Sequence, residues 1–126
     1  MKFEHFALNV PDARLMSQWY VEHLGLRIVR GREEAPYTHF LADATGRVFI
    51  ELYTNPVSAI PRHAESHPLS FHLAFVAESA QSVHVRLELA GATLFKEEIL
   101  PDGTILIMMR DPWGVPIQLC QRAKPF

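Results

Sequence analysis

The chain has 126 residues, 48% of them apolar and 21% charged, which suits one globular domain or two small halves that share a core. A net charge of −2 without a Lys/Arg cluster excludes the basic surface typical of nucleic-acid binding. No apolar run approaches the ~18 residues of a membrane span, no leader peptide is apparent, and the single Cys120 fits a reducing, cytoplasmic compartment.

The first half of the chain predicts a strand, a helix and three further strands. Residues 3–10 are apolar and strand-like, and Asp12 begins a helix over 12–24 that Gly25 ends. Three segments with strand-like composition follow it: residues 26–31, 37–43 and 47–53.

A proline-rich segment without hydrophobic period separates the two halves. Residues 54–68 hold three prolines, which predicts a linker across the surface in which His63 and His67 are exposed. Beyond it the order of the first half recurs. Residues 70–77 are strand-like, and Ser79 begins a helix that Gly91 ends. Three predicted strands complete the second half: residues 93–99, 104–110 and 115–121.

The two halves also match at several key positions, although few of their other residues are identical. A shift of 67 residues places His5 on His72, and it places the segment 50–52 (Ile-Glu-Leu) on 117–119 (Ile-Gln-Leu). Internal repeats of this kind indicate a duplicated supersecondary unit. The sequence therefore predicts an α+β fold of two tandem βαβββ modules.

Each predicted module offers one histidine and one further polar side chain on the face opposite its helix. Alternate residues of a strand share a face, so Glu51 and Gln118 point away from the apolar neighbours that pack on the helices. A histidine in a strand is more often a hydrogen-bonded core residue. Here, however, both halves carry a histidine and a second polar residue at repeat-related positions. If a pseudo-twofold relates the halves, His5, Glu51, His72 and Gln118 converge as N/O ligands for one divalent metal, Zn, Ni, Co, Mn or Fe.

Four segments resemble the vicinal oxygen chelate superfamily, which includes glyoxalase I, methylmalonyl-CoA epimerase, bleomycin-resistance proteins and extradiol dioxygenases. They read EHFALNVPDARLMSQWYVEHLGL, FIELYTN, LSFHLAFVAES and RDPWGVPIQL, and together they span nearly the full chain. The resemblance implies modules at about 1–56 and 69–126, joined by a linker over 57–68, whose sheets curl as one mixed sheet around a cleft. It also implies metal ligands at the four positions above and a homodimer.

The activity that the resemblance implies is that of a glyoxalase-like or epimerase-like lyase or isomerase. Such an enzyme moves a proton on a small, oxygen-chelating substrate through an enediolate. In the metal enzymes of the superfamily the position of Gln118 is usually a glutamate that acts as the base. An amide cannot act as a base near neutral pH, so Glu51, on the repeat-related side, is the predicted catalytic residue.

Four residues are predicted to line the substrate pocket. Glutathione-dependent relatives of the bacterial type place an arginine at the position of Asn9, whereas Asn55 matches a family contact to glutathione. Tyr53 and Trp113 are aromatic residues suited to lining the cleft, and His39 in the third strand could face it as well. Of these two family contacts to glutathione, the sequence thus keeps one, at Asn55, and lacks the other, at Asn9.

Two alternatives remain open at this stage. Some relatives bind drugs in the cleft without a metal, as bleomycin-resistance proteins do. Extradiol-type dioxygenation would require Fe²⁺ held by two histidines and a carboxylate, and Gln118 argues against the usual form of that triad.

Overall fold

The computed structural model describes all 126 residues and divides them into two units, Met1–Pro61 and Arg62–Phe126. Each unit has the order strand, helix, three strands, which confirms the predicted α+β fold of tandem βαβββ modules. No helix has the length and apolar content needed to cross a membrane.

The first unit is an open, mixed, four-stranded sheet with one helix on it. Its elements are β1 (Phe6–Asn9), α1 (Ala13–Leu24), β2 (Arg27–Gly31), β3 (His39–Ala42) and β4 (Val48–Tyr53). The strand order is β1-β4-β3-β2, with β1 parallel to β4 and the other pairs antiparallel.

The second unit repeats this plan after a single 3₁₀ turn at His63–Glu65. Its elements are β5 (Leu73–Val76), α2 (Ala80–Leu89), β6 (Thr93–Ile99), β7 (Ile105–Arg110) and β8 (Pro116–Gln121). The strand order is β5-β8-β7-β6, and β5 is parallel to β8.

The strand register reproduces the repeat seen in the sequence. In β1 and β4, Ala7 lies opposite Glu51; in β5 and β8, Ala74 lies opposite Gln118. Both pairs are related by the same shift of 67 residues. The apolar neighbours of the two polar residues are buried, as the alternation of faces predicts.

Both helices begin on a side chain at the end of the fourth strand of their own unit: Thr54 directly follows β4, and Gln121 is the last residue of β8. Thr54 Oγ1 accepts a hydrogen bond from the N–H of Ala13 at 2.9 Å, and Gln121 Oε1 accepts one from the N–H of Ala80 at 2.9 Å. Asp12 caps α1 as predicted, since its carboxylate accepts from two further N–H groups of the first turn. These contacts fix the start of each helix against its sheet.

The segment before β5 packs more closely than the sequence indicates. His63 is buried, so the prediction that it is exposed is wrong, whereas His67 is exposed as expected. The cause is Arg110 at the end of β7, whose guanidinium donates to the carbonyls of His63 at 3.0 Å and Ser66 at 2.6 Å. One charged side chain thereby pins residues 62–68 to the second unit.

Candidate functional site

In the first unit, the histidine and the carboxylate of the predicted metal site lie side by side. His5 comes one residue before β1, and its Nε2 is 3.2 Å from an Oε2 of Glu51 on the adjacent strand β4. The two side chains are 27% and 18% exposed, so both reach solvent from a mostly covered position. The edge of the His5 ring also packs against Phe40, whose ring centre is 5.4 Å away.

The other nitrogen of His5 has its own partner. Nδ1 contacts the carboxylate of Glu4, which can only accept a hydrogen bond. The proton of a neutral imidazole is therefore held on Nδ1, and Nε2 presents a lone pair to Glu51. Carboxylates placed behind ligating histidines in this way orient the ring and raise its basicity in metal sites.

Two acceptors facing each other at 3.2 Å call for a positive species. A proton on Nε2 would satisfy the pair, and so would a metal ion. Ligand bonds of about 2.1 Å place neighbouring donor atoms about 3.0 to 3.4 Å apart in octahedral or tetrahedral geometry. The observed spacing falls in that range, so His5 and Glu51 fit the predicted role as a pair of ligands.

In the second unit, His72 is prepared in a similar way. It comes one residue before β5, is half-buried, and its Nδ1 lies 3.0 Å from the carbonyl oxygen of Pro68. A carbonyl can only accept, so Nδ1 carries the proton and Nε2 remains available as a ligand atom. Fixing the tautomer through a backbone carbonyl is a common second contact of metal-binding histidines.

Gln118 lies on β8, the strand paired with β5, and is half-buried. Its Oε1 accepts a hydrogen bond from the Cys120 thiol at 3.3 Å. Burial raises the pKa of that thiol, which keeps it protonated as a donor at neutral pH. An amide oxygen has two lone pairs, so the contact leaves one for a cation or a substrate.

Gln118 also lines a cavity of about 340 Å³ in the second unit. Its walls are largely apolar and come from β6, β7 and the segment before β5; they include Phe95, Leu106, Met108 and Leu69, with His67 and Lys96 at polar positions. This cavity could receive the organic part of a small ligand that touches Gln118.

The predicted pocket residues have different surroundings. The Asn9 side-chain amide makes three hydrogen bonds to the backbone of the first unit. Its nitrogen donates to the carbonyls of Asn55 and Ser58, and its oxygen accepts from the N–H of Asn55. Tyr53 and Trp113 are half-buried, and the backbone N–H of Trp113 donates to the Asp111 carboxylate. Asn9 and Asn55 thus meet each other, with their polar groups holding the loop that follows β4.

The structure brings His5 and Glu51 into contact. It places His72 directly before β5 and Gln118 on the neighbouring strand β8, with no hydrogen bond joining them. In neither unit do three or more His, Cys, Asp or Glu side chains gather into a metal-binding group. The sequence interpretation missed Glu4, although its position beside His5 is a readable signal. The role of the Pro68 carbonyl has no such signal, because it depends on the local turn.

Comparison with known families gives a match over nearly the whole chain. The model of the Glyoxalase/Bleomycin resistance protein/Dioxygenase superfamily matches residues 2–119. No curated protein matches the sequence.

Solved structures with the same fold come from proteins of different kinds. SMU.1112c is 23% identical, with a TM-score of 0.71, over 96% of this chain and 98% of that one. Lactoylglutathione lyase from Agrobacterium tumefaciens is 17% identical, with a TM-score of 0.69, over 97% and 94%. TnmS3, an antibiotic-binding protein from Streptomyces sp. CB03234, is 19% identical, with a TM-score of 0.71, over 96% and 95%. At these identities the likeness shows the fold alone.

Proposed function

The chain belongs to the Glyoxalase/Bleomycin resistance protein/Dioxygenase superfamily, and from that premise we propose that it is a metal-dependent lyase or isomerase acting on a small oxygen-bearing substrate. The observation that carries the proposal is the contact of His5 Nε2 with the Glu51 carboxylate at 3.2 Å, with Nδ1 of His5 already committed to Glu4. Such an arrangement is complete only with a cation or a proton between the two side chains.

The proposed ligands of one divalent ion are His5 and Glu51 from the first unit and His72 and Gln118 from the second. Support comes from the repeat, because Glu51 and Gln118 occupy equivalent registers opposite Ala7 and Ala74. It comes also from the tautomers, since both histidines have Nδ1 engaged and Nε2 available. The mixed N/O set suits Zn, Ni, Co, Mn or Fe.

Glu51 is the proposed catalytic base. It is the one carboxylate of the set, and the amide of Gln118 has no proton-accepting capacity at neutral pH. Its half-buried position beside an imidazole keeps it close to a partner that can share or relay the proton. When bound, the metal would supply Lewis-acid stabilisation of negative charge on the substrate oxygens. Glu51 then takes the proton from one carbon and returns it to the neighbouring one.

The substrate would combine vicinal oxygens with a modest apolar portion. The apolar cavity beside Gln118, about 340 Å³ in volume, is suited to the apolar portion. The Asn9 amide is already used within the protein, so the glutathione carboxylate would lack one of its usual family contacts. We propose assembly as a homodimer on the basis of the superfamily resemblance. Size-exclusion chromatography with light scattering measures the mass of the particle in solution.

The test is turnover of the hemithioacetal of methylglyoxal and glutathione by protein loaded in turn with each of the five metals. Glu51→Gln should lower turnover by about 10²-fold or more while metal remains bound, because a general base contributes that much. Glu65→Gln, at an exposed carboxylate, is the matched control and should behave as wild type. Wild-type turnover in metal-loaded Glu51→Gln would contradict the role of Glu51. No turnover by any metal-loaded wild type would contradict glyoxalase-type lyase activity and would leave isomerase activity on another substrate.

A second candidate is metal-free binding of an aromatic drug. The observation in its favour is the apolar lining of the cavity beside Gln118, which offers Phe95 and Met108 to a flat ligand. Treatment with a chelator separates the two candidates. A drug-binding protein of this type would bind its ligand equally well after its metal is removed, whereas a metal-dependent enzyme would lose its activity.

A further inference from the structure

A second cavity lies on the helix side of the first unit, away from the His5–Glu51 pair. It measures about 410 Å³, and the residues that matter here are Asp12, Arg14, Leu15, Ile28, Glu33 and His39. Phe40 packs against His5, whereas its neighbour His39 lies beside α1. His39 pairs with Leu52 and Phe40 with Glu51, so His39 lies on the opposite face of the sheet from Glu51 and not on the face of the predicted metal ligands.

His39 is the buried polar group of this cavity. Its side chain is only 4% exposed, and its Nδ1 lies 2.7 Å from the carbonyl oxygen of Tyr37. That carbonyl can only accept, so Nδ1 carries a proton and a neutral ring presents Nε2 as an acceptor. No hydrogen bond joins Nε2 to a protein group, and His39 lies in the wall of the cavity. A buried histidine with an unused acceptor in a cavity wall is suited to binding a hydrogen-bond donor.

Two backbone features hold His39 in this position. Gly31, on the neighbouring strand β2, has no side chain, and a Cβ there would lie 2.9 Å from Cδ2 and 3.0 Å from Nε2 of His39. Tyr37 has a φ of 56°, a conformation that side-chain-bearing residues rarely adopt. With that backbone, Tyr37 directs its carbonyl to His39 and carries the Arg14 guanidinium 4.4 Å above its ring.

The charges around the cavity are of both signs, and no ion pair neutralises them. Asp12 and Glu33 bring carboxylates and Arg14 a guanidinium, yet no ion pair joins Arg14 to either acid. One oxygen of Asp12 already caps α1, so a ligand that carries both charges would meet Glu33, Arg14 and the other oxygen of Asp12. Leu15 and Ile28 add an apolar wall.

We propose that this cavity binds a small zwitterion, a free α-amino acid with an apolar side chain. Its ammonium group donates to His39 Nε2 and to the carboxylates, its carboxylate meets Arg14, and its side chain packs on Leu15 and Ile28. The site is independent of the proposed metal chemistry, because none of its groups belongs to the proposed ligand set.

The experiment is a titration of the full chain followed by ¹H–¹³C spectra of the His39 imidazole. The probes are L-leucine, N-acetyl-L-leucine, which lacks the ammonium group, and L-leucinamide, which lacks the carboxylate. L-leucine should shift the His39 signals saturably with a Kd of about 10 mM or tighter. Each derivative should bind about tenfold more weakly.

Variants at exposed positions assign the groups without disturbing the core. Glu33→Gln should weaken L-leucine binding several-fold, whereas Glu34→Gln, one residue along and outside the cavity, should leave it unchanged. In Arg14→Gln the preference for L-leucine over L-leucinamide should disappear. No saturable His39 shift with L-leucine, or equal shifts with all three probes, would overturn the proposal.

Discussion

Asn9 offers the sharpest test of how the loop after β4 is held. Its side-chain nitrogen lies 2.9 Å from the Asn55 carbonyl and 3.1 Å from that of Ser58, and its oxygen lies 2.9 Å from the Asn55 N–H. Asn9 is 9% exposed, so Asn9→Ala would remove three hydrogen bonds made by a buried side chain. We expect the substitution to destabilise the fold rather than to act on the substrate alone.

The magnitude follows from the number of bonds. Three hydrogen bonds at about 1 kcal/mol each give a loss of about 3 kcal/mol in the free energy of unfolding. An unfolding entropy of about 2.1 cal/mol/K per residue, over 126 residues, converts this to a fall of about 11 °C in Tm.

The assay is thermal unfolding followed by circular dichroism, with Asn55→Ala as the matched control. The Asn55 side chain accepts one exposed hydrogen bond, from the Val57 N–H at 3.0 Å, so its removal should lower Tm by about 4 °C. If Asn9→Ala melted no lower than Asn55→Ala, or raised KM without loss of stability, the structural role assigned to Asn9 would be refuted.

Three further predictions concern the second unit. Gly114→Ala should lower the free energy of unfolding in urea more than Gly103→Ala does. Both glycines have positive φ, which costs an alanine about 1–2 kcal/mol, but a Cβ at Gly114 would also lie 2.6 Å from the Cβ of Ala64. Equal effects of the two substitutions would refute this packing. Arg110→Lys should lower the free energy of unfolding by about 2 kcal/mol, because an ammonium cannot reach all the carbonyls that the guanidinium joins. Arg30→Lys, at an exposed position, is the control and should leave it unchanged. Equal urea midpoints for the two variants would contradict the prediction. Burial raises the pKa of the Cys120 thiol above its ordinary value of 9.0, so the stability it contributes is complete below about pH 8.5 and is lost as pH rises further. Urea midpoints should show a smaller loss between pH 8 and pH 10 in Cys120→Ala, and an identical loss would disprove the link.

Much of the fold can be read from the sequence because it depends on local patterns. The repeat, the capping residue Asp12 and the alternation around Glu51 and Gln118 each predict a feature that the structure has. The shift of 67 residues also relates the registers of the two parallel strand pairs, since Ala7 faces Glu51 in one unit and Ala74 faces Gln118 in the other.

What the sequence did not predict depends on contacts between distant residues. His63 lies in a proline-rich segment that reads as exposed, but Arg110, 47 residues later, binds its carbonyl and buries the segment. Ser79 stands at the start of α2 as predicted, yet Gln121 rather than the Ser79 hydroxyl accepts the first N–H of the helix. Hydrogen bonds of this range have no periodicity, so composition and spacing do not reveal them.

The side of the sheet on which His39 lies was also beyond the sequence interpretation. The deciding features are the absent side chain of Gly31 and the left-handed backbone of Tyr37, which together seat the ring against α1. The effect of these two features on His39 cannot be predicted without knowing which residues pair between β2 and β3.

The most direct test of the account is the metal content of the purified chain. After equilibration with equal amounts of Zn, Ni, Co, Mn and Fe, elemental analysis should find one divalent ion per chain in the wild type and in the control His23→Ala. His5→Ala and His72→Ala should each retain about a tenth or less of it. A wild type that binds no ion, or a full ion in both variants, would contradict the shared site.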